Sequence, residues 1–189
     1  IEVSAIEHEH ALRLRVHDVR PARLGTLVAR VRRMFDVDAD PAVIMRTLRR
    51  DKRLRPLVRR WPGQRLPGAW DAYELAVRAV LGQQISVAAA PLKTKRIVER
   101  FGTRHESSAV AGLGALFPTP DVLADAPLES TGLTRARAGT IRGLSRACAD
   151  GSLDLSNFQS LEAFVKRLCE LPGIGTWTAQ YIAMRAQSR

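Results

Sequence analysis

The spacing of apolar positions changes period along the chain. Ala11-Leu12-Arg13-Leu14-Arg15-Val16 alternates apolar and polar, the period-two pattern of a strand with one buried face. Past Pro21 the period lengthens. Leu24, Leu27, Val28, Val31 and Phe35 share one stripe and predict a helix over 23–35. Asp40-Pro41 supplies an N-cap and a first-turn proline for another helix, carrying Val43, Ile44 and Leu48. Together these segments predict a small α/β unit, incomplete at its N-terminus. Pro62-Gly63 and Pro67-Gly68 mark loops, so a domain boundary is expected between residues 40 and 70.

Beyond that boundary the periodic segments all read as helix. Asp71 caps one through Leu81, with Tyr73, Ala76, Val77 and Val80 inward. After the polar break Gly82-Gln83-Gln84-Ile85, Ser86 is expected to cap the next helix, which runs to Phe101. Pro91 would then sit just over one turn inside it, removing a backbone bond and bending the axis. Residues 102–117 have weak periodicity and predict a loop. Short helices follow over 121–126 and 134–149, the second stopped by Asp150-Gly151. The last pair covers 160–170, with Leu161, Phe164, Val165 and Leu168 inward, and 176–185, joined by Leu171-Pro172-Gly173-Ile174-Gly175. The predicted fold class is α+β, mostly α.

Composition narrows the function classes. The 189 residues are 46% hydrophobic, and the mean hydropathy of −0.13 excludes wholesale disorder. No apolar run approaches the ~20 residues that span a bilayer, and Ile1-Glu2-Val3-Ser4 lacks the features of a secretory signal. The chain opens on Ile1 rather than Met, which reads as an internal piece of a longer protein. Cys148 and Cys169, the only cysteines, read as reduced thiols. His8, His10, His17 and His105 have no metal-ligand spacing and read as surface or loop residues.

Charge adds a partner. Thirty basic residues against nineteen acidic give +11, with a pI near 11.0, pointing to a polyanion and most often nucleic acid. The basic run from Arg46 to Arg65 reads first as a solvated face and second as a set of phosphate contacts.

The linker Leu171-Pro172-Gly173-Ile174-Gly175 is more specific. Proline ends the first helix, and two glycines one residue apart permit positive φ in a tight connection. Unpaired N–H groups of Gly173, Ile174, Gly175 and Thr176 would then point outward at the positive end of the second helix, a fit for a DNA phosphate. Between two helices in a strongly basic chain, this predicts a helix-hairpin-helix phosphate clamp.

The stretch from Leu171 through Tyr181 resembles the signature of the helix-hairpin-helix DNA glycosylases. Residues 65–71 and 77–88, together with 117–120 and 132–137, resemble the AlkA-like 3-methyladenine DNA glycosylase II branch. The likeness covers residues 20–186. It implies a partial α/β N-terminal domain over 1–45, a basic helix or linker over 46–70, and a glycosylase domain over 71–189. The implied activity is base excision: an alkylated base is flipped from double-stranded DNA and its N-glycosidic bond hydrolysed. Trp177 and Tyr181 match the base pocket; Gln84, with Gln83 as second candidate, matches the residue that fills the flipped base's gap. Where the glycosylase/lyase relatives hold a lysine, this chain has Trp177, which forms no Schiff base, implying monofunctional hydrolysis. No cofactor is required, although the family holds a sodium or potassium ion on carbonyls matching Cys169, Leu171 and Ile174. The family's catalytic aspartate lies in a loop beyond Arg189, so the chain alone is expected to bind DNA weakly without turnover. Asp121, Asp125, Asp150 and Asp154 read as caps or loop residues. A cytoplasmic, nucleoid-associated monomer without membrane contact follows. The alternatives are a non-catalytic DNA-binding module, or the repair half of an Ada-type activator and repair fusion.

Overall fold

The structure is a computed structural model and describes residues 1–6, 8–9, 11–17, 19–105, 114–156 and 160–187. His10 and residues 106–113 of the expected loop lie outside these. The chain divides into two units, Ile1–Trp70 and Asp71–Gln187.

In the first unit β1 (Glu2–Ile6) and β2 (Ala11–Arg15) form an antiparallel hairpin, with Glu2 opposite Arg15 and Ile6 opposite Ala11. The alternation in β2 foretold a strand, but not a buried face, since only Leu14 is partly covered; the alternation of Glu2-Val3-Ser4-Ala5 in β1 went unread. A 3-10 turn at Pro21–Arg23 leads into α1 (Leu24–Met34). Of the predicted stripe only Val31 is buried, while Leu24 and Val28 remain exposed. Asp40 caps α2 (Pro41–Leu48), its carboxylate accepting the N–H groups of Ala42 at 2.8 Å and Val43 at 3.3 Å. The buried residue of α2 is Met45 rather than Val43 or Ile44, because the cover comes from α3 (Arg55–Arg60) on that side.

The second unit is a helical body. α4 (Ala72–Leu81) starts at Asp71, whose carboxylate accepts the Glu74 N–H at 2.8 Å. It packs on α5 (Ala89–Phe101), α7 (Arg135–Ala149) and α9 (Thr176–Gln187). Ala76, Val77, Val80 and Leu81 have no exposed surface, and neither do Ile97, Ile141, Leu144 or Leu168 from the other helices. The Tyr73 hydroxyl meets Ser145 Oγ at 2.7 Å, which satisfies the polar end of a half-buried ring between α4 and α7.

Two local expectations are corrected. α5 begins at Ala89, with Ser86 Oγ accepting the Ala89 N–H at 3.3 Å one turn ahead of it. Pro91 is the third residue of α5, but the turn before it is already wound, the Ala90 N–H donating to the Ser86 carbonyl at 3.3 Å. The proline therefore forgoes the next bond of the ladder. The loop expected over 102–117 contains a short antiparallel pair, β3 (Thr103–Arg104) with β4 (Ala115–Leu116). Farther on, α6 (Pro120–Ala124) and α7 fall where predicted, with a 3-10 turn at Leu128–Thr131 between them. α8 (Leu161–Cys169) is capped by Ser160 and buries Phe164 and Leu168, whereas Leu161 stays exposed at the open first turn.

Candidate nucleic-acid interface

α8 and α9 pack together and are joined by the turn at 170–175. Gly173 sits at φ +87°, in the left-handed region. A Cβ there would also lie 2.0 Å from Thr140 Oγ1 of α7, so glycine is required twice over: by its φ and by close approach. Gly175 differs from the expectation of paired positive φ values. It is not left-handed, and a Cβ there would meet nothing within 4 Å. Its contribution is the open space left in front of the backbone.

Four N–H groups were expected to face a phosphate. That of Ile174 instead donates to the Leu171 carbonyl at 3.1 Å, closing the turn, and its side chain is buried. The N–H groups of Gly173, Gly175 and Thr176 have no acceptor among the described residues. Those of Gly175 and Thr176 lie at the start of α9, where the helix dipole is positive.

Two residues into the same helix, Trp177 is 73% exposed. Its ring stacks on half-buried Tyr181, with centroids 5.7 Å apart and planes within 8°. Spacing i, i+4 put the two on one face, as the sequence suggested. Arg185, one turn farther, places its guanidinium carbon 5.9 Å from the Tyr181 centroid, and its buried Nε has no partner among the described residues. Sequence reasoning missed Arg185, although the same helical spacing would have found it.

The two glutamines part ways. Gln84 is exposed at φ +54° in the turn between α4 and α5. Gln83 is half-buried and turned inward, its Nε2 donating to the Gly173 carbonyl at 3.0 Å and to Thr178 Oγ1 at 3.1 Å. The Gln83 carbonyl in turn accepts from the Arg137 guanidinium.

The nearby acids are committed elsewhere. Asp125 pairs with Arg146 at 2.8 Å, and the Asp150 and Asp154 carboxylates accept the N–H groups of Ser152 and Ser156. Asp121 lies in the first turn of α6. Arg142 binds both oxygens of Glu129, at 2.8 and 2.9 Å, holding its carboxyl down at about 2. No cluster of three or more His, Cys, Asp or Glu side chains able to hold a metal occurs among the described residues. Burial pushes the Cys148 thiol up to about 12, while Cys169 is exposed. No ion pair joins the basic run over 46–60 to a carboxylate among the described residues.

A helical body with a glycine turn presenting free amides, followed at once by an exposed aromatic stack, has the fold of solved DNA glycosylases. An 8-oxoguanine glycosylase/lyase of Clostridium acetobutylicum, solved with double-stranded DNA, has this fold. Its TM-score is 0.76 at 18% identity, over 97% of this chain and 61% of that one. Residues 1–71 match the family described as the AlkA N-terminal domain. A Mycobacterium tuberculosis protein named probable bifunctional transcriptional activator/DNA repair enzyme AlkA is 41% identical over 162 residues, covering 86% of this chain and 32% of that protein. DNA-3-methyladenine glycosylase 2 of Escherichia coli is 37% identical over 161 residues, 84% of this chain and 54% of that one. The chain therefore spans 32% and 54% of the lengths of these two relatives. By sequence the chain is similar to AlkA and to DNA-3-methyladenine glycosylase 2, and by structure it shares the fold of solved DNA glycosylases.

Proposed function

We propose that this chain is the DNA-gripping and base-receiving part of an alkylbase DNA glycosylase of the 3-methyladenine type. The observation that carries the reading is the Trp177–Tyr181 stack, open on the Trp177 side and directly following the free amides of Gly175 and Thr176. Phosphate oxygens accept those N–H groups, which anchors the duplex at the positive end of α9. Gln84, exposed in its turn, enters the stack and fills the gap left by the flipped base. An N-alkylated purine carries positive charge. It is therefore drawn to the indole face, with each aromatic contact worth about 0.5–2 kcal/mol. The same charge makes the base a good leaving group, so hydrolysis needs water and electrostatic support for the sugar cation rather than a covalent enzyme nucleophile. Trp177 offers no amine, so the reaction is monofunctional and leaves no borohydride-trappable adduct.

The acids at 121, 125, 150 and 154 serve as caps or ion-pair partners, or stand in a first turn, so the chain alone binds the damaged duplex without releasing a base. A sodium or potassium ion on the carbonyls of Cys169, Leu171 and Ile174 would hold the turn's shape; that of Leu171, already accepting the Ile174 N–H, keeps one lone pair for it. The molecule acts as a monomer on double-stranded DNA in the cytoplasm, at the nucleoid. The name of the M. tuberculosis relative supports a second context, in which the glycosylase part follows an alkyl-transferring, gene-activating region.

Binding tests the reading. The chain should hold a duplex carrying an abasic-site analogue about tenfold more tightly than the undamaged duplex, because no base has to be unpaired and unstacked before Gln84 fills the gap. Equal affinities contradict it. In a protein that also supplies the carboxylate, methylated DNA should lose its alkylbases; unchanged methylated DNA would favour a clamp module without chemistry.

A further inference from the structure

We propose that Gln83 is a positioning residue that fixes the distance between the phosphate clamp and the gap-filling side chain, and so couples backbone grip to base flipping. The proposal rests on the reading above, in which the turn at 172–176 grips the backbone and Gln84 fills the gap.

Both hydrogens of the Gln83 amide are engaged, and both acceptors belong to the clamp. One is the Gly173 carbonyl, at the left-handed residue of the turn; the other is Thr178 Oγ1, next to Trp177 in the first turn of α9. The main chain of Gln83 is held by Arg137 of α7, whose guanidinium donates to the Gln83 backbone carbonyl. α7 also backs the turn directly, through Thr140 against Gly173. The next residue is Gln84, exposed and left-handed. One half-buried side chain thus bridges ninety positions of sequence, |i−j| = 90, and joins the clamp to the apex of the α4–α5 turn. A left-handed non-glycine residue persists only where its surroundings hold it, and the Gln83 bonds are the restraint adjacent to Gln84. With the strap in place, a phosphate bound at Gly175 and Thr176 sets where Gln84 meets the stack. Without it, the clamp still grips, but the wedge is no longer registered to it.

Gln83→Leu removes both donors at nearly constant volume, and Thr178→Val removes one acceptor. Amide hydrogen exchange of the free chain reads the strap without DNA. Exchange at Ile174 and Ala179, whose N–H groups donate to the Leu171 and Gly175 carbonyls, should rise about tenfold in Gln83→Leu and by a smaller factor in Thr178→Val, as expected for bonds of ordinary net strength. Binding reads its use. Affinity for an undamaged duplex should stay within about twofold and its salt dependence should not change, because the phosphate contacts are intact. The preference for a duplex carrying an abasic-site analogue should fall about tenfold. Gln83→Glu adds a pH signature. Its ionised carboxylate cannot donate to the two acceptors, whereas its protonated form donates to one, so the abasic preference should partly recover as pH is lowered through the carboxyl range. A parallel loss of both affinities, or an unchanged preference with unchanged exchange, overturns the proposal. If the unaltered chain shows no abasic preference while exchange responds as stated, the strap stands and the glycosylase reading fails.

Discussion

In Asp71–Gln187 the apolar faces of α4, α7, α8 and α9 close on one another, whereas in Ile1–Trp70 the equivalent faces are largely open. Phe164, Leu168, Ile141 and Val77 are 2% exposed or less; Leu24, Val43 and Leu57 are 46%, 51% and 49% exposed. Charge divides within the first unit too, where Arg15 and Arg32 pair with Glu2 and Asp38. Arg142, Arg146 and Arg167 of the helical unit each meet a carboxylate, while the arginines over 46–60 have no such partner among the described residues. The amphipathic period is as clean in α1 and α2 as in α4, α7 and α8. A stripe becomes core only where another element covers it, and an arginine is neutralised only where the fold brings an acid to it. The helical unit is consequently the stiff platform that can hold a turn and a ring stack in register, as base recognition demands.

The largest contrast to test is in stability. Phe164→Ala should cost about 3–5 kcal/mol, the usual price of a cavity under a large buried ring, whereas Val43→Ala should cost under about 1 kcal/mol. Urea unfolding of both variants checks this; equal losses would break the comparison. Next come the two glycines of the turn. Gly173→Ala combines a left-handed φ with a clash on Thr140 and should cost about 2–4 kcal/mol. Gly175→Ala meets open space and should leave the melting midpoint nearly unchanged, yet weaken duplex binding by placing a methyl group before the free amides. Trp177→Ala comes third. It should leave stability within about 0.5 kcal/mol, since the ring is exposed, but remove about 1–3 kcal/mol of preference for a damaged duplex over an undamaged one.

The smallest effect is electrostatic. Arg142 holds the Glu129 carboxyl at about 2, below its ordinary 4.5, so the native state binds fewer protons than the unfolded chain between those values. Its stabilisation is therefore complete above pH 4.5 and is lost as pH falls towards 2. Thermal melts over that range should show a shallower decline in Glu129→Gln than in the unaltered chain.

Local chemistry made much of this legible in advance. The caps at Asp40 and Asp71 are read from side chains that bond the next turn, and both accept the expected N–H groups; Thr134 and Ser160 cap α7 and α8 in the same way, where the sequence predicts only the helices they start. The clamp turn and the ring pair were legible for the same reason: proline, glycine and the i, i+4 spacing act within a few residues. Long-range contacts were not. Gln83 passes for a surface glutamine until Gly173 and Thr178 are brought beside it, and the distinct duties of Gly173 and Gly175 depend on Thr140 of α7. Met45 displaced Val43 and Ile44 from the core for a similar reason, since which side of α2 is covered is decided by α3.

Where DNA touches this chain is read most directly from residue-resolved amide spectra recorded while a duplex carrying an N-alkylated purine is added. Large shifts at Gly175, Thr176 and the Trp177 indole N–H, with Gln84 moving in step, are predicted. Saturating binding that leaves those four signals in place and shifts only the arginines over 46–60 would contradict the account.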